Sequence, residues 1–259
     1  MIRGLYTSGW SMLAIQKKMD IISNNLANVN TTGFKKDTMV FESFPELLTK
    51  RINDTMSVTN PSGVIGGMRL GNDVGEVYTY FSQGQLTNTG SRLDMAIRDS
   101  DTAFFSVLVP DAEGNEKEYY TRDGSFIIGP GNKLLTKDGY AVEGENGPIV
   151  LDDGDFSVEE DGSIVQGGQA VDKLLIKQFT DTKTLRKYGD NLLERTDQTE
   201  EEDFGGTVQQ GFLEQSNVNI VREMVDMITV MRSYEANQKV LQAQDSTLEK
   251  AVNEVGSLR

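Results

Sequence analysis

The chain has 259 residues, 25 of them basic and 40 acidic, with no histidine and no cysteine, for a net charge of −15. That length allows one large domain or two modest ones, and the acidic balance excludes a nucleic-acid or anionic-membrane surface, which would need clustered Lys and Arg. Without cysteine there is no disulfide, thiolate nucleophile or thiolate metal site, and without histidine the commonest general base and transition-metal ligand are missing.

The amino terminus, MIRGLYTSGWSMLAIQKKMD, has neither the apolar core nor the small-residue cleavage site of a secretory signal. No window approaches the roughly 18 uninterrupted apolar residues of a membrane span. The expectation is a chain that does not insert in a membrane and is exported, if at all, without a cleaved signal.

From Leu5, the residues Leu5, Met12, Ile15, Met19, Ile22, Leu26 and Val29 recur in steps of three and four, with Ser8 in one polar slot. This heptad spacing puts one stripe of a helix against another helix. Gly33 can take the left-handed turn that stops it. The reading is a helical segment over 1–33, followed over 34–74 by an extended arm. The arm has no sustained period, and glycines and Pro61 punctuate its second half. Phe34, Val40, Phe41 and Phe44 are too apolar for a flexible linker, so the arm packs on something.

From Gly75 the texture changes to short β-branched and aromatic runs such as AFFSVLV, KEYYT and KLLIKQF. Between them stand Gly114-Asn115, Asp123-Gly124, Asp138-Gly139, Asn146-Gly147, Asp153-Gly154 and Asp161-Gly162, pairs suited to tight hairpins. The spacing predicts an antiparallel all-β domain over 75–194. An acidic linker and return segment follows over 195–215.

The last segment, 216–259, begins with Ser216 and Asn217, either of which can cap a helix. Its seam reads Ile220, Met224, Met227, Met231, Tyr234, Gln238, Leu241, Asp245, Leu248, Val252 and Val255. The fold class expected is therefore α+β: long terminal helices paired as a coiled coil, enclosing an inserted, mainly antiparallel β domain. Val218, Val221, Val225 and Ile228 add a second apolar row, and a helix apolar on more than one face is buried by more than one neighbour. An ordinary helical pair packed on its own domain fits the spacing equally well.

Asp152, Asp153, Asp155, Glu159, Glu160 and Asp161 form the one local acidic cluster worth weighing. Paired catalytic carboxylates and a calcium loop both fit it less well than surface turns. No phosphate-binding glycine loop is present. Nothing points to an enzyme or to a cofactor.

Ser23-Asn24-Asn25-Leu26-Ala27-Asn28-Val29-Asn30-Thr31-Thr32-Gly33-Phe34 resembles the amino-terminal signature of bacterial flagellar basal-body rod and hook proteins. Leu213-Glu214-Gln215-Ser216-Asn217-Val218, with Glu223 to Ile228 and Arg232 to Asn237, is similar to that family's carboxy-terminal signature. Leu93-Asp94-Met95-Ala96-Ile97, Tyr120 to Phe126 and Leu135 to Tyr140 are similar to the rod proteins in between. One departure stands out: where the family has a Gly-x-Gly-Phe-Phe strand start, this chain reads Asp99-Ser100-Asp101-Thr102-Ala103-Phe104-Phe105, without the glycines.

The resemblance implies a structural subunit that polymerises helically into the rod joining motor to hook, most like the distal rod and next most like the proximal rod. It implies self-association, contacts with other rod and hook subunits, and passage through the flagellar export apparatus to the basal body, in the periplasm or cell-wall zone. The expected assembly interface comprises the seam residues above other than Asp245, together with Asn24, Asn25, Asn28 and Phe34, the asparagines either bonding across subunits or solvated. A secreted β-domain adhesion module with helical oligomerisation ends is the alternative from another class.

Overall fold

The computed structural model describes residues 2–50, 64–69, 71–111, 116–152, 154–189 and 191–255. The Pro61 break, the Gly114-Asn115 turn, Asp153 and the side chain of Val255 fall outside what is described. The architecture is mixed, with a helix at each end of the chain and a mostly antiparallel β portion between. Two compact units result: Met1–Asn24, Asp37–Tyr78 and Val221–Arg259 form one, Asn25–Lys36 and Thr79–Ile220 the other.

The first unit holds most of two long helices, α1 (Ile2–Ala27) and α2 (Ile220–Lys250). The Asn237 amide donates to the Ser11 hydroxyl over 3.2 Å, and a Cβ on Gly4 would run into the Gln244 amide. Those contacts lie one heptad apart on each helix, in opposite directions, so the helices run antiparallel. The less exposed row of α2 is Glu223, Met227, Val230, Tyr234, Asn237, Leu241, Gln244 and Leu248. It shares Met227, Tyr234, Leu241 and Leu248 with the row read from sequence. At the alternate positions it sits one residue earlier, leaving Met224, Met231, Gln238 and Asp245 exposed. The physical reason is on α1, whose Gly4, Ser8 and Ser11 are small enough to admit two amides where the apolar pattern calls for methionine.

The segment after Lys36, expected to lack regular structure, forms two narrow ribbons. Asp37–Ser43 pairs with Asn72–Thr79, and Leu47–Lys50 pairs antiparallel with Val64–Met68. Short β-formers such as Val40, Phe41, Val77 and Tyr78 supply strand propensity, but a two-stranded ribbon is marginal without a covering element. Side chains of α1 contribute to that cover. The Trp10 and Phe44 rings meet edge-on at 5.3 Å, and the Lys18 ammonium stands 5.6 Å from the Phe41 ring centroid.

In the second unit the strand Ala103–Pro110 is the axis. It pairs with Glu116–Thr121 from Phe105 opposite Thr121 to Pro110 opposite Glu116, with Ala141–Gly144, and with Ile176–Phe179. Successive side chains of a strand point to opposite faces, so this one strand feeds two cores. Phe105, Val107 and Val109 join Met95, Ile97, Phe126 and Leu134 on one side; Phe104 joins Tyr120, Phe179 and Leu193 on the other. The Asp138-Gly139 turn closes a hairpin, with the Thr136 amide donating to the Tyr140 carbonyl over 2.8 Å. Asp123-Gly124 does not: a Cβ on Gly124 would collide with the Met95 carbonyl, so this glycine serves a close approach of its loop to the strand Met95–Arg98.

The departure at Asp101 and Ala103 also has an account. The turn needs its left-handed residue at Asp99 (φ 64), two positions earlier, and Asp tolerates that conformation. Asp101 accepts from the Gln83 amide over 2.7 Å, and Ala103 is fully buried, so neither position requires glycine.

Phe105 is wholly buried and meets Phe126 edge-on at 5.3 Å. Phe105→Ala is expected to lower the stability of the β unit by about 3–5 kcal/mol, measured by chemical denaturation.

Candidate functional site

Three segments remote in sequence converge on one carboxylate. Glu214 ends the strand Phe212–Glu214, which pairs with Leu86–Asn88. It is 2 % exposed. Its Oε1 accepts from Lys35 Nζ at 2.6 Å and from the Gly84 amide at 2.7 Å. Its Oε2 accepts from Arg122 Nε at 2.6 Å. Lys35 also donates to the Ser82 carbonyl at 2.9 Å, and the Arg122 guanidinium to the carbonyls of Ala103, Ser100 and Ile97. Two buried cations thus share one anion, and four carbonyl dipoles take up the surplus positive charge.

Around this triad the backbone is tied down as well. The Gly33 amide donates to the Glu214 carbonyl at 2.8 Å. Gly33 has φ +70, and a Cβ there would lie 2.5 Å from the Asp123 amide nitrogen; both its conformation and its space demand glycine. Thr32 donates to Asp123 at 2.6 Å, and Asp123 also accepts from the Ser125 amide and hydroxyl. Asn217 accepts from the Lys36 amide and donates to the carbonyls of Tyr80 and Ser82. Asn217 therefore ties together two chain segments, and of the two expected caps it is Ser216 that accepts a local bond, from the Val218 amide.

Burial opposes ionisation of Glu214, but the Arg122 and Lys35 charges outweigh it and hold the carboxyl below the ordinary carboxylate range. Burial pulls the Lys35 ammonium below the usual lysine value, Arg122 adds to that, and Glu214 opposes it.

The helix ends before the sequence pattern does. α1 stops at Ala27, and a turn carries the chain to Gly33, with Asn28 accepting from the Thr31 hydroxyl at 3.1 Å. Val29 thus continues the heptad in sequence but lies outside the helix, because Asn and Thr side chains here bond locally. Among residues expected at an assembly interface, Ile22, Asn25 and Phe34 are buried within the subunit, Phe34 beneath the Lys187 ammonium. Leu5, Met12, Ile15, Met19, Leu26, Asn28, Val29, Met227, Tyr234, Leu241 and Leu248 are half-buried. Asn24, Ile220, Met224, Met231, Gln238 and Val252 are exposed. A polar groove of about 730 Å³ opens on the second unit, lined by Asn28, Thr32, Lys137, Tyr140, Tyr188 and Asn191 among others.

In the acidic loop, Asp155 pairs with Arg92, and Asp161 accepts from the Ser163 amide and hydroxyl, bonds that lower its pKa. These are turn and surface roles. Lys35, Arg122 and Glu214 went unnoticed in the sequence. Arg122 and Glu214 stand inside stretches that resemble the family and Lys35 directly follows one, but their neighbours in sequence do not mark these charges as buried.

The three partners of the triad lie in three segments that match separate family models. Residues 5–35 match "Flagella basal body rod protein", 100–166 match "Flagellar hook protein FlgE/F/G D1 domain", and 209–254 match "Flagellar basal body rod FlgEFG protein C-terminal". Three such matches in one chain, with their motifs meeting at a buried triad inside the β unit, define a structural axial protein of the flagellum. The chain belongs to the flagellar basal-body rod protein family, whose members are structural proteins and not enzymes. It is 36 % identical to the flagellar basal-body rod protein FlgG of Buchnera aphidicola from Schizaphis graminum, over 96 % of this chain and 98 % of that one. Identity to FlgG of Bacillus subtilis is 34 % over 98 % and 99 %, and to FlgF of Caulobacter vibrioides 31 % over the whole of both chains.

Because the Glu214 pKa is lower folded than unfolded, its contribution is present above the ordinary carboxylate range and is lost as pH falls through the folded value. Lys35 is shifted down as well, so its buried charge is a cost that is relieved as pH rises towards the usual lysine value. Glu214→Gln, which leaves both cations without their anion, is expected to destabilise the β unit by about 3–5 kcal/mol. It should also flatten the acid limb of the stability–pH curve, measured by thermal melts from acid to neutral pH.

Proposed function

We propose that this chain is a distal-rod subunit that polymerises helically with copies of itself and adjoins other rod and hook subunits in the flagellar basal body. The observation that carries this reading is apolar surface left open on both helices. On α2, Val221, Met224, Val225, Ile228 and Met231 are exposed, Val221 to 71 %; on α1, Tyr6 and Leu13 are exposed, Tyr6 to 60 %. Contiguous apolar surface of this kind marks an association face. Similarity over nearly the whole chain to proteins named FlgG, at higher identity than to the FlgF of Caulobacter vibrioides, supports the distal over the proximal subtype.

Within this reading α1 and α2 extend their antiparallel contact as a coiled coil, and their open rows meet neighbouring subunits. Membership of the rod-protein family supports passage through the flagellar export apparatus, with final residence in the periplasm or cell-wall zone. An adhesin with oligomerising ends would expose the same rows, but would form discrete oligomers instead of tubes in electron micrographs.

A charge placed in the open row must be desolvated at every subunit contact, at several kcal/mol without a partner. Ile228→Asp is therefore expected to abolish tubes and motility while leaving the β-unit melting transition unchanged. Asp152→Asn and Asp155→Asn should leave both tubes and motility intact. Normal motility in the Ile228 variant sinks the reading.

A further inference from the structure

The net charge of the chain is not shared between its two units. The β unit, Asn25–Lys36 with Thr79–Ile220, contains 14 basic and 27 acidic residues, a net −13; the helix-and-ribbon unit contains 11 and 13, a net −2. At least eight of the fourteen basic residues in the β unit are already in ion pairs within it, among them Lys117 with Glu194, Lys177 with Glu201, and Arg195 with Glu201. The acidic surplus therefore finds no complement on its own unit. The exposed apolar rows of α1 and α2 lie on the unit that is close to neutral.

We infer that the chain's self-association is gated by ionic strength: the near-neutral unit supplies the attraction, and the acidic β units repel one another until small cations screen them. This rests on the polymer reading above and adds the condition under which it operates. A β unit of about 154 residues has a radius of gyration near 15 Å, so β units of successive subunits stand some tens of ångströms apart in any close-packed assembly. The screening length is about 30 Å at 0.01 M salt and about 8 Å at 0.15 M. Repulsion between units of net −13 is thus felt across the whole spacing at low salt and is largely extinguished at physiological salt. Apolar attraction has no such dependence. The expected sign is assembly strengthened by salt, opposite to an interface held by ion pairs, which salt weakens.

The test is the critical concentration for polymer formation by the purified full-length chain, measured by sedimentation in about 10 mM and about 150 mM KCl. A second protein carries Glu159→Gln, Glu160→Gln, Glu200→Gln and Asp203→Asn, all at exposed positions of the β unit, with its melting transition as the check of folding. For the wild type, the critical concentration is expected to fall at least about tenfold between the two salts. The neutralised protein should assemble more readily at low salt and match the wild type at high salt. MgCl2 at matched ionic strength should act in the same direction as KCl. Assembly weakened by salt, identical salt curves for the two proteins, or a requirement for Mg2+ that KCl does not satisfy overturns the inference while leaving the polymer reading in place. No polymer at any salt overturns both.

Discussion

The carboxylate of Glu214 is the point on which the β unit depends. It lies near the end of the chain in sequence, yet its two cationic partners come from residue 35 and residue 122. A buried ion pair is a weak source of net stability, since desolvation consumes most of the Coulomb gain. What it does provide is discrimination: any arrangement that separates Glu214 from Lys35 or Arg122 leaves an uncompensated charge in an apolar setting. The triad therefore selects one way for three remote segments to meet, and the carbonyls of Ser82, Ile97, Ser100 and Ala103 make that one way tolerable for the excess positive charge.

From that constraint the local chemistry of the signatures follows. Gly33 must be glycine because the chain passes it in a left-handed conformation against the Arg122–Asp123 backbone. Thr32, Asp123 and Ser125 are joined by hydroxyl–carboxylate bonds that hold that passage in place. Asn217 gives up the capping role its position suggests, since its amide instead satisfies backbone groups of two different segments. Motif residues that read as helix ends and turns thus act together as a clasp.

The helices follow a different logic. Their less exposed rows carry small and polar residues at several positions, while much of their apolar surface is left outside. For a monomer that distribution would waste the hydrophobic effect. For a subunit it leaves the strongest non-directional attraction available to neighbours. The acidic surplus of the β unit then works against association. The balance between the two is set by the separation of charge and apolar surface onto different parts of the chain.

What the sequence by itself determined was set by short-range rules. Heptad spacing located both helices, β-branched runs and Asp-Gly pairs located the β portion, and the missing Cys and His narrowed the chemistry. Only the tertiary structure decided which of two adjacent heptad rows on α2 becomes the less exposed one. A three-four repeat is satisfied equally by neighbouring stripes until the partner's shape is known, and Gly4 and Ser11 settled it in favour of Gln244 and Asn237. Tertiary structure likewise ended α1 at Ala27 and turned the arm into ribbons. It also brought Lys35, Arg122 and Glu214 together across 92 and 179 residues of separation. No local pattern encodes such a meeting: a charge that will be buried looks, in sequence, the same as one that will be solvated.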